Sequence, residues 1–322
     1  MTVVVATRDR PAMLRGTLEA LSKALGPGDE LVVVDSASTD KVVGAIAAES
    51  GARFVRCELP GTCRARNAGA RAASAQVIAF TDDDCLPDPG WVAAVAAAFA
   101  NRPELGFLTG RVLPIADGGD PRLNTSVVDD DAARLFVAGD DPVVAGHGAN
   151  MAWRRAALDR IGGFDEALGP GSPLRAAEDH DAFWRALRAG LIGRFEPAAV
   201  VRHRQWRTWR KQLAAYFGYG IGSGAVAVKR WRLGTGADRA DAGGRPSLLR
   251  DASGRRVVKD IVWDRGATVV GRRLAEGYEL GALAEATALV GAIVGAGRAT
   301  RLDVVDGHFT PPRKWTGRRM TH

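Results

Sequence analysis

Short apolar runs alternate with segments of helical periodicity along the first third of the chain. The runs are apolar with little interruption, which is typical of parallel strands whose two faces are both buried. After Pro11, leucines recur at helical spacing, so this segment is predicted to be a helix that opens at the proline. The resulting β-α-β-α-β-α-β order predicts a parallel sheet with right-handed crossovers. The expected strands are 2–6, 30–35, 53–56 and 77–82, and the expected helices are 11–24, 41–50 and one from residue 63.

The pattern becomes less regular beyond residue 90, but it still predicts the same fold class. Residues 117–142 are rich in Asp, Gly and Pro, and we expect a long surface excursion there. The remaining strands are expected at 107–112, 146–153 and 196–203, and the remaining helices at 91–100, 154–161 and 182–189. The chain is thus predicted to be an α/β protein with a mostly parallel sheet flanked by helices.

The C-terminal third has a different character and predicts a separate part of the molecule. Residues 234–256 combine many Gly, Asp and Arg residues, which is typical of a linker. Residues 280–297 are apolar and rich in small side chains, but Glu285 interrupts them. We therefore expect a core helix or an interfacial helix there rather than a membrane span. The predicted organisation is a catalytic domain over 1–233, the linker, and a basic, mainly helical extension over 257–322.

The net charge of +7 is divided unevenly along the 322 residues. Residues 1–201 carry a net charge of −6 and residues 202–322 one of +13. Within 202–232 the basic residues are interleaved with aromatic ones. Such a surface suits an anionic partner, although a solvated face in an arginine-rich protein explains it equally well. Among anionic partners we favour a membrane surface or an anionic acceptor, and we do not expect nucleic acid.

The composition is that of a soluble globular protein, with 46% hydrophobic and 25% charged residues. Cys57, Cys63 and Cys85 are odd in number and lack paired spacing, so we expect small buried side chains in a reducing compartment. Residues 2–6 lack the basic region and the cleavage site of a signal peptide. The expected location is cytoplasmic, and the basic C-terminal part allows a peripheral position at the inner face of the membrane.

Three adjacent carboxylates, Asp82, Asp83 and Asp84, close the predicted central strand. At intermediate dielectric they repel one another unless a cation lies between them. In extended geometry Asp82 and Asp84 point the same way and Asp83 points the other way. Paired carboxylates suit Mg²⁺ or Mn²⁺. An acidic turn that caps the following helix is the alternative interpretation of these residues.

Five ordered motifs make residues 2–205 resemble the family 2 glycosyltransferases. The motifs are the paired segments 5–10 and 33–40, then 61–69, 82–84, 162–166 and 178–181. The resemblance implies a GT-A fold, a nucleotide diphosphate sugar as donor, a divalent ion (Mn²⁺ or Mg²⁺) and inversion at the anomeric carbon. Residues 206–322 have no counterpart in it.

The resemblance also implies roles for individual residues. It makes Asp179 the base that deprotonates the acceptor hydroxyl, with Glu178 as the fallback. The implied metal ligands are Asp82, Asp84 and His203. The implied contacts to the donor nucleotide are Thr7, Arg8, Asp35, Arg64, Arg66, Asp82 and Asp83. The implied acceptor or sugar pocket contains His147, Asn150 and His180.

The chemistry of glycosyl transfer agrees with this division of roles. A nucleotide diphosphate leaves readily once a divalent ion neutralises its developing charge, so no protein acid is needed. A single carboxylate then suffices as the base, whereas glycoside hydrolysis requires an acid and a second carboxylate. From the resemblance, UDP is the favoured nucleotide, with GDP and dTDP open. The acceptor is expected to be a glycan, a lipid-linked intermediate or a small molecule, in cell-envelope or exported glycan or glycolipid synthesis.

Two other functions remain open from the residues alone. A sugar-nucleotide pyrophosphorylase of similar fold predicts a glycine- and lysine-rich phosphate loop, which residues 7–11 lack. A non-enzymatic polyanion-binding protein would use residues 202–232, because bases stack on aromatic side chains with basic neighbours. That function would leave Asp82, Asp84 and Asp179 unexplained. The sequence leaves the oligomeric state open.

Overall fold

The computed structural model describes residues 1–119, 126–234 and 279–310, which form two compact units. The first unit comprises Met1–Asp117, Asn124–Phe164 and Asp179–Gln205. The second comprises Gly118–Leu123, Asp165–Glu178 and Trp206–His322, as far as these are described. The sequence-based division into domain, linker and extension stays a prediction, since nearly all of the predicted linker lies outside the described residues.

The first unit contains the helices and strands that the hydrophobic pattern predicts, with shifts at their ends. Its helices are α1 (Pro11–Ala24), α2 (Val42–Glu49), α3 (Thr62–Ala72), α4 (Trp91–Asn101), α5 (Arg155–Arg160) and α6 (Glu178–Arg188). Its strands are β1 (Thr2–Thr7), β2 (Glu30–Ser36), β3 (Arg53–Cys57), β4 (Val77–Asp82), β5 (Cys85–Pro87), β6 (Leu105–Ala116), β7 (Arg134–Phe136), β8 (Asn150–Arg154) and β9 (Ile192–Gln205). The short strands β5 and β7 have no counterpart in the prediction.

The strands form one sheet in the order β3-β2-β1-β4-β8-β6-β9-β5, with β7 paired to β9. Strands β1 to β4 are parallel, as predicted, and β6 is parallel to β9. Strand β8 runs antiparallel to both β4 and β6, and β5 and β7 run antiparallel to β9. The sheet is therefore parallel in its N-terminal half and mixed in its other half.

Both faces of the sheet are covered, which explains why its strands are apolar without alternation. In β1, Val3 and Val5 belong to one buried cluster and Val4 belongs to the other. The first cluster includes side chains of α1, α2 and α4, and the second includes side chains of α3, α5 and α6. Burying a valine fully stabilises the fold by about 1.5–3 kcal/mol. The two clusters fix the strand ends, where the polar side chains lie.

The second unit is built on two helices, α7 (Trp209–Leu233) and α8 (Glu279–Ala299), followed by the hairpin strands β10 (Asp303–Val305) and β11 (His308–Thr310). A Cβ atom at Gly220 or Gly224 would lie 1.8 Å or 2.0 Å from the carbonyl oxygen of Ala288 or Ala292. The two helix backbones are therefore in contact through glycines. The apolar segment is a packed helix, one of the two predicted alternatives. No helix in the described part of the chain is long and apolar enough to cross a membrane.

A buried ion pair links the elements of the second unit. Lys229 of α7 is fully buried and donates to Oδ2 of Asp165, which is also buried. The same oxygen accepts the N–H of Phe309 at 2.8 Å, and the Lys229 ammonium lies 4.5 Å from the centroid of the Phe309 ring. The pair thus joins α7 to β11 and to the segment that begins at Asp165.

We expect the substitution Lys229→Met to lower the free energy of unfolding by about 3–5 kcal/mol, because Asp165 would remain buried without its counter-ion. Urea denaturation followed by circular dichroism measures the change. The exposed Lys211 of the same helix is the matched control, and Lys211→Met should leave the unfolding midpoint unchanged. Equal midpoints for the two variants would contradict the prediction.

Candidate active site

Three strands end side by side at one edge of the sheet. The register pairs Thr7 with Asp35 across β1 and β2, and Ala6 with Asp82 across β1 and β4. Polar side chains follow directly at each of these carboxyl ends. Open α/β sheets bind ligands beyond the carboxyl ends of their strands. This edge is therefore the candidate site, as the sequence predicts.

The fully buried Asp83 contacts two side chains from the end of β1 and the segment after it, Thr7 and Arg10. The Thr7 hydroxyl donates to Oδ2 at 2.6 Å, and a guanidinium nitrogen of Arg10 lies 2.6 Å from Oδ1. Arg10 also donates to Oδ2 of Asp84 at 2.9 Å. Burial raises the pKa of Asp83 to about 7 although Arg10 opposes the rise. Arg10 is thus a cation shared by two of the three carboxylates.

Asp84 turns its other oxygen towards His203 of β9. The distance from Oδ1 to Nε2 is 3.6 Å, and both side chains are buried. The antiparallel pairing of β5 with β9 sets Cys85 opposite His203, and the carbonyl of Asp84 accepts the N–H of Arg204 at 2.9 Å. The side-chain amide of Gln205 lies 3.0 Å from Nδ1 of His203. The ring therefore presents Nε2 to Asp84.

The donor atoms of this pair fit a divalent metal ion. Asp84, Cys85 and His203 form a group of potential ligands whose atoms lie within 4.8 Å of one another. Carboxylate oxygen and imidazole nitrogen are donors that Mn²⁺ and neighbouring transition ions accept. The Asp84 carboxylate also lies beside other carboxylates, where a cation would relieve repulsion.

Asp82 faces a different partner. Arg66 of α3 donates to its Oδ1 at 2.9 Å and to the carbonyl of Gly148 at 3.2 Å. Only 3% of the Arg66 side chain is exposed, and its guanidinium carbon lies 5.9 Å from the centroid of the Phe164 ring. Arg66 is therefore a buried cation at the strand ends and not part of a solvated helix face.

Asp179, in the first turn of α6, is a buried carboxylate with two backbone donors. Its Oδ2 accepts the N–H of Gly148 and its Oδ1 accepts the N–H of His180, both at 2.8 Å. Burial opposes ionisation, but the charges of His180 and His147 and the two N–H groups outweigh it and hold the pKa of Asp179 well below its usual range. The carboxylate is therefore ionised at neutral pH.

Gly148 brings Arg66 and Asp179 to the same stretch of backbone. A Cβ atom at this position would lie 3.2 Å from both terminal nitrogens of Arg66 and 3.2 Å from Cβ of Asp179. The neighbouring His147 uses Nδ1 to accept the N–H of Ala149 at 3.0 Å. Burial lowers the pKa of His147, although the charges of Asp179 and Asp82 oppose the shift. A tight turn therefore supplies the carbonyl, the amide and the imidazole of this part of the site.

Asp35, at the end of β2, is 1% exposed and forms an ion pair with Arg56 of β3. Its Oδ1 accepts the N–H of Ser38 at 2.8 Å, and Arg56 donates to the carbonyl of Ser38 at 3.2 Å. These bonds fix the turn after β2. The contact of Asp35 with a nucleotide base stays a prediction.

Asn150 of β8 lies at the centre of the sheet and is fully buried. Its Nδ2 donates to the carbonyls of Arg111 and Ala199, both at 2.8 Å, and its Oδ1 accepts from the Trp91 indole at 2.8 Å. Both amide protons thus have protein partners. The structure gives Asn150 a bracing position between strands, and its contact with a sugar stays a prediction.

The other predicted site residues lie around this centre. A guanidinium nitrogen of Arg8 lies 3.5 Å from Asp9, and Arg64 donates to the carbonyl of Pro60 at 2.8 Å. His180 is half-buried and Glu178 is 8% exposed. Their roles stay predictions.

The prediction that Asp82 and Asp84 face the same way is wrong. Strand β4 ends at Asp82 and the chain turns, so the alternation of an extended chain does not continue through Asp84. Asp82 meets Arg66, whereas Asp84 meets Arg10 and His203. A role of Asp82 as a metal ligand stays a prediction.

Arg10 and Gly148 contribute to the site, but the sequence analysis did not identify them. Arg10 could have been found, because it follows β1 in the same polar segment as Thr7. Gly148 acts through its backbone, and its side chain gives no chemical signal. Finding it requires the tertiary structure.

The model of the glycosyl transferase family 2 matches residues 2–162, half of the chain. The chain belongs to glycosyl transferase family 2. The matched region contains the strand ends of β1, β2 and β4, Arg66 and Gly148. Asp179 and His203 lie beyond it.

The comparison with individual proteins agrees with this membership. The pre-mycofactocin glycosyltransferase of Mycobacterium tuberculosis is 28% identical over 249 residues, which cover 71% of this chain and 48% of that protein. The chain therefore spans about half the length of this relative.

Two solved structures share the fold. The mannosyltransferase PcManGT of Pyrobaculum calidifontis, in complex with GDP-Man and Mn²⁺, aligns with a TM-score of 0.59 and 20% identity, covering 92% of this chain and 86% of its own. Residues 1–349 of Staphylococcus aureus TarS align with a TM-score of 0.56 and 17% identity, covering 96% and 95%. The predicted GT-A fold is confirmed.

The shared cation gives a testable prediction for stability. Arg10→Met should lower the free energy of unfolding by about 1–3 kcal/mol, because Asp83 is left buried without its counter-ion; the partial exposure of Arg10 moderates the loss. Thermal unfolding without divalent ions measures it. Arg15→Met in the first part of α1, close to Arg10 in sequence, removes an exposed pair with Glu49 and should change nothing measurable. If both variants unfold like the wild type, Arg10 does not stabilise the three adjacent carboxylates.

Proposed function

We propose that this member of glycosyl transferase family 2 is an inverting enzyme that moves a sugar from a nucleotide diphosphate, UDP being favoured, to a hydroxyl acceptor. The observation that supports this most is the pairing of two groups at one sheet edge. One is the buried pair of Asp84 and His203, and the other is the buried, ionised Asp179. The first group suits a cation and the second suits a base.

In the proposed mechanism, the groups at the strand ends neutralise the negative charge of the departing diphosphate. Asp84 and His203 would hold a divalent ion, Mn²⁺ or Mg²⁺, with Asp82 nearby. Such an ion supplies charge neutralisation to the departing diphosphate. The buried Arg66 beside Asp82 gives a second positive charge for a phosphate oxygen. Thr7, Arg8, Asp35, Arg64 and Asp83 would line the nucleotide side of this edge.

Asp179 is the proposed base. In an inverting displacement, the acceptor oxygen attacks the anomeric carbon from the face opposite the diphosphate, and its proton goes to a carboxylate. The two N–H groups on Asp179 keep this carboxylate ionised and fix its orientation. A low pKa makes a carboxylate a weaker base, so we infer that it accepts the proton late, as the new bond forms. His147, His180 and Asn150 would surround the acceptor or the sugar.

The solved relatives support the class of donor. PcManGT was crystallised with GDP-Man and Mn²⁺, and TarS with UDP-GlcNAc. The donors of these two proteins differ in both base and sugar, so they support a nucleotide sugar in general. We keep UDP as the favoured nucleotide, and a glycan, a lipid-linked intermediate or a small molecule of envelope or exported glycan synthesis as the acceptor.

The start of α7 supports an anionic docking surface. Arg207 and Lys211 lie 4.9 Å and 5.6 Å from the centroid of the Trp206 ring, and Arg210 lies 5.2 Å from that of Trp209. The sequence has no acidic residue from 197 to 237. The N-terminus of a helix carries a partial positive charge, which repels cationic side chains placed there. An anionic surface would offset this repulsion. We propose that this segment binds anionic membrane lipids at the inner face of the membrane.

The proposed activity is tested by hydrolysis and transfer assays with a panel of nucleotide sugars and Mn²⁺. We expect turnover with at least one donor and its loss in EDTA. Asp179→Asn should lower kcat about 10²–10⁴-fold while donor binding persists, because only the proton acceptor is removed. The exposed carboxylate of Asp159 gives the control Asp159→Asn, which should keep full turnover.

Two outcomes would change the proposal. Loss of turnover in Glu178→Gln, with Asp179→Asn active, would move the base to Glu178. Turnover of no nucleotide sugar by a folded, Mn²⁺-loaded protein would reject the proposed activity.

The docking proposal is tested by flotation with vesicles. Vesicles with phosphatidylglycerol should bind the protein at low salt and release it at high salt, and vesicles of phosphatidylcholine alone should not bind. Each cation near an anionic surface contributes about 1 kcal/mol, so replacing Arg207, Arg210 and Lys211 by Gln should weaken binding about 100-fold. Replacing the exposed Lys23 and Lys41 of the first unit is the control. No flotation at low salt would end this part of the proposal.

A further inference from the structure

The group formed by Asp84, Cys85 and His203 contains a sulfur atom whose role the proposed function leaves open. One ligand atom from each side chain lies within 4.8 Å of the other two. The three residues are 2%, 0% and 3% exposed. In the described part of the chain this is the one group of three His, Cys, Asp or Glu residues with such spacing.

The strand register explains why the thiol belongs to this group. Cys85 of β5 and His203 of β9 are direct partners in an antiparallel pair, so their side chains lie on the same face of the sheet. Asp84 comes directly before β5, at the end of the turn from β4. Two elements far apart in sequence thus bring oxygen, sulfur and nitrogen donors together.

The separation of the oxygen and nitrogen donors agrees with coordination to one ion. Ligands about 2.0–2.2 Å from a tetrahedrally coordinated ion are about 3.3–3.6 Å apart. The distance from Asp84 Oδ1 to His203 Nε2 is 3.6 Å. A sulfur ligand sits farther from the ion, at about 2.3 Å for zinc, so a larger separation is expected for Cys85.

The other cysteines provide an internal comparison. Cys57 and Cys63 are also buried and form no disulfide bond, and all three cysteines pack within apolar clusters, Cys57 and Cys63 in the one that contains Phe80 and Cys85 in the other. In the described residues neither belongs to a group of potential metal ligands. Burial alone is common to all three cysteines, whereas the neighbouring carboxylate and imidazole are particular to Cys85.

We infer that Cys85 is the third protein ligand of the ion that Asp84 and His203 are proposed to hold. The inference rests on the proposed function only in taking these two residues as ligands. On binding, the S–H bond breaks, its proton passes to a buffer base, and the thiolate forms the bond to the ion. A thiolate favours borderline ions such as Zn²⁺ and Co²⁺ over the hard Mg²⁺. A centre with oxygen, nitrogen and sulfur ligands would therefore bind Zn²⁺ or Co²⁺ more tightly than Mg²⁺, and it remains open to Mn²⁺.

Cobalt absorption tests the inference without an activity assay. Bound metal is removed from the full chain with EDTA, the protein is desalted, and Co²⁺ is added stepwise in the presence of a phosphine that keeps the thiols reduced. We expect a sulfur-to-cobalt charge-transfer band in the near ultraviolet that saturates at about one equivalent. The band should persist in the double variant Cys57→Ser/Cys63→Ser, in which Cys85 is the sole thiol. It should disappear in Cys85→Ser and in Cys85→Ala.

Metal affinities give a second readout. Mutation of a residue that only hydrogen-bonds to a metal ligand typically weakens metal binding about 10–100-fold. Loss of a direct ligand should therefore weaken binding by at least this factor. Cys85→Ser should therefore weaken binding of Co²⁺ and Zn²⁺ by 10-fold or more, measured by competition with a chromophoric chelator. Binding of Mg²⁺ should change less than threefold, because a hard ion gains little from sulfur.

Each outcome decides a separate question. Cobalt bound to the wild type without a charge-transfer band, or a band lost in the double variant, would overturn the role of Cys85 and leave the glycosyltransferase proposal intact. If the band depends on Cys85 but the protein turns over no nucleotide sugar, the result would support Cys85 as a metal ligand and would reject the proposed glycosyltransferase activity. Should the Cys85 variants fail to fold, the wild type and the double variant still decide the question.

Discussion

The structure of the site depends on the compensation of three adjacent carboxylates at the end of a buried strand. Asp83 and Asp84 are buried and share Arg10, and Asp82 pairs with the buried Arg66. Each compensating cation comes from a different element, Arg10 from the segment after β1 and Arg66 from α3. The repulsion between carboxylates therefore requires these elements to meet at the strand ends.

The same edge holds the proposed base by a backbone contact. Gly148 gives its carbonyl to Arg66 and its N–H to Asp179, so a cation and an anion are fixed through one residue. This arrangement places two opposite charges on either side of one backbone residue. Arg66 lies beside Asp82, and the N–H of Gly148 favours the ionised form of Asp179. The geometry suits a reaction in which negative charge leaves on one side and a proton is accepted on the other.

The second unit is held together by close helix packing rather than by charge compensation at strand ends. Its two long helices contact each other through Gly220 and Gly224, where any side chain would meet a carbonyl oxygen. Small residues gain close packing at the cost of apolar area, and the buried pair of Lys229 and Asp165 adds a directional link. One group of its basic and aromatic residues, from Trp206 to Lys211, lies at the start of α7, before these glycines in sequence.

The sequence alone determined the elements, the convergence of strand ends and the family, because hydrophobic period and local motifs act over a few residues. It also pointed to Asp84, His203 and Asp179, through resemblance. Tertiary structure decided which cation meets which carboxylate, the antiparallel course of β8, and the place of Gly148 and Cys85 in the site. These depend on strand register and on contacts between residues distant in sequence. The turn at residues 83 and 84, directly after β4, gives Asp82 and Asp84 different partners, which the local sequence does not determine.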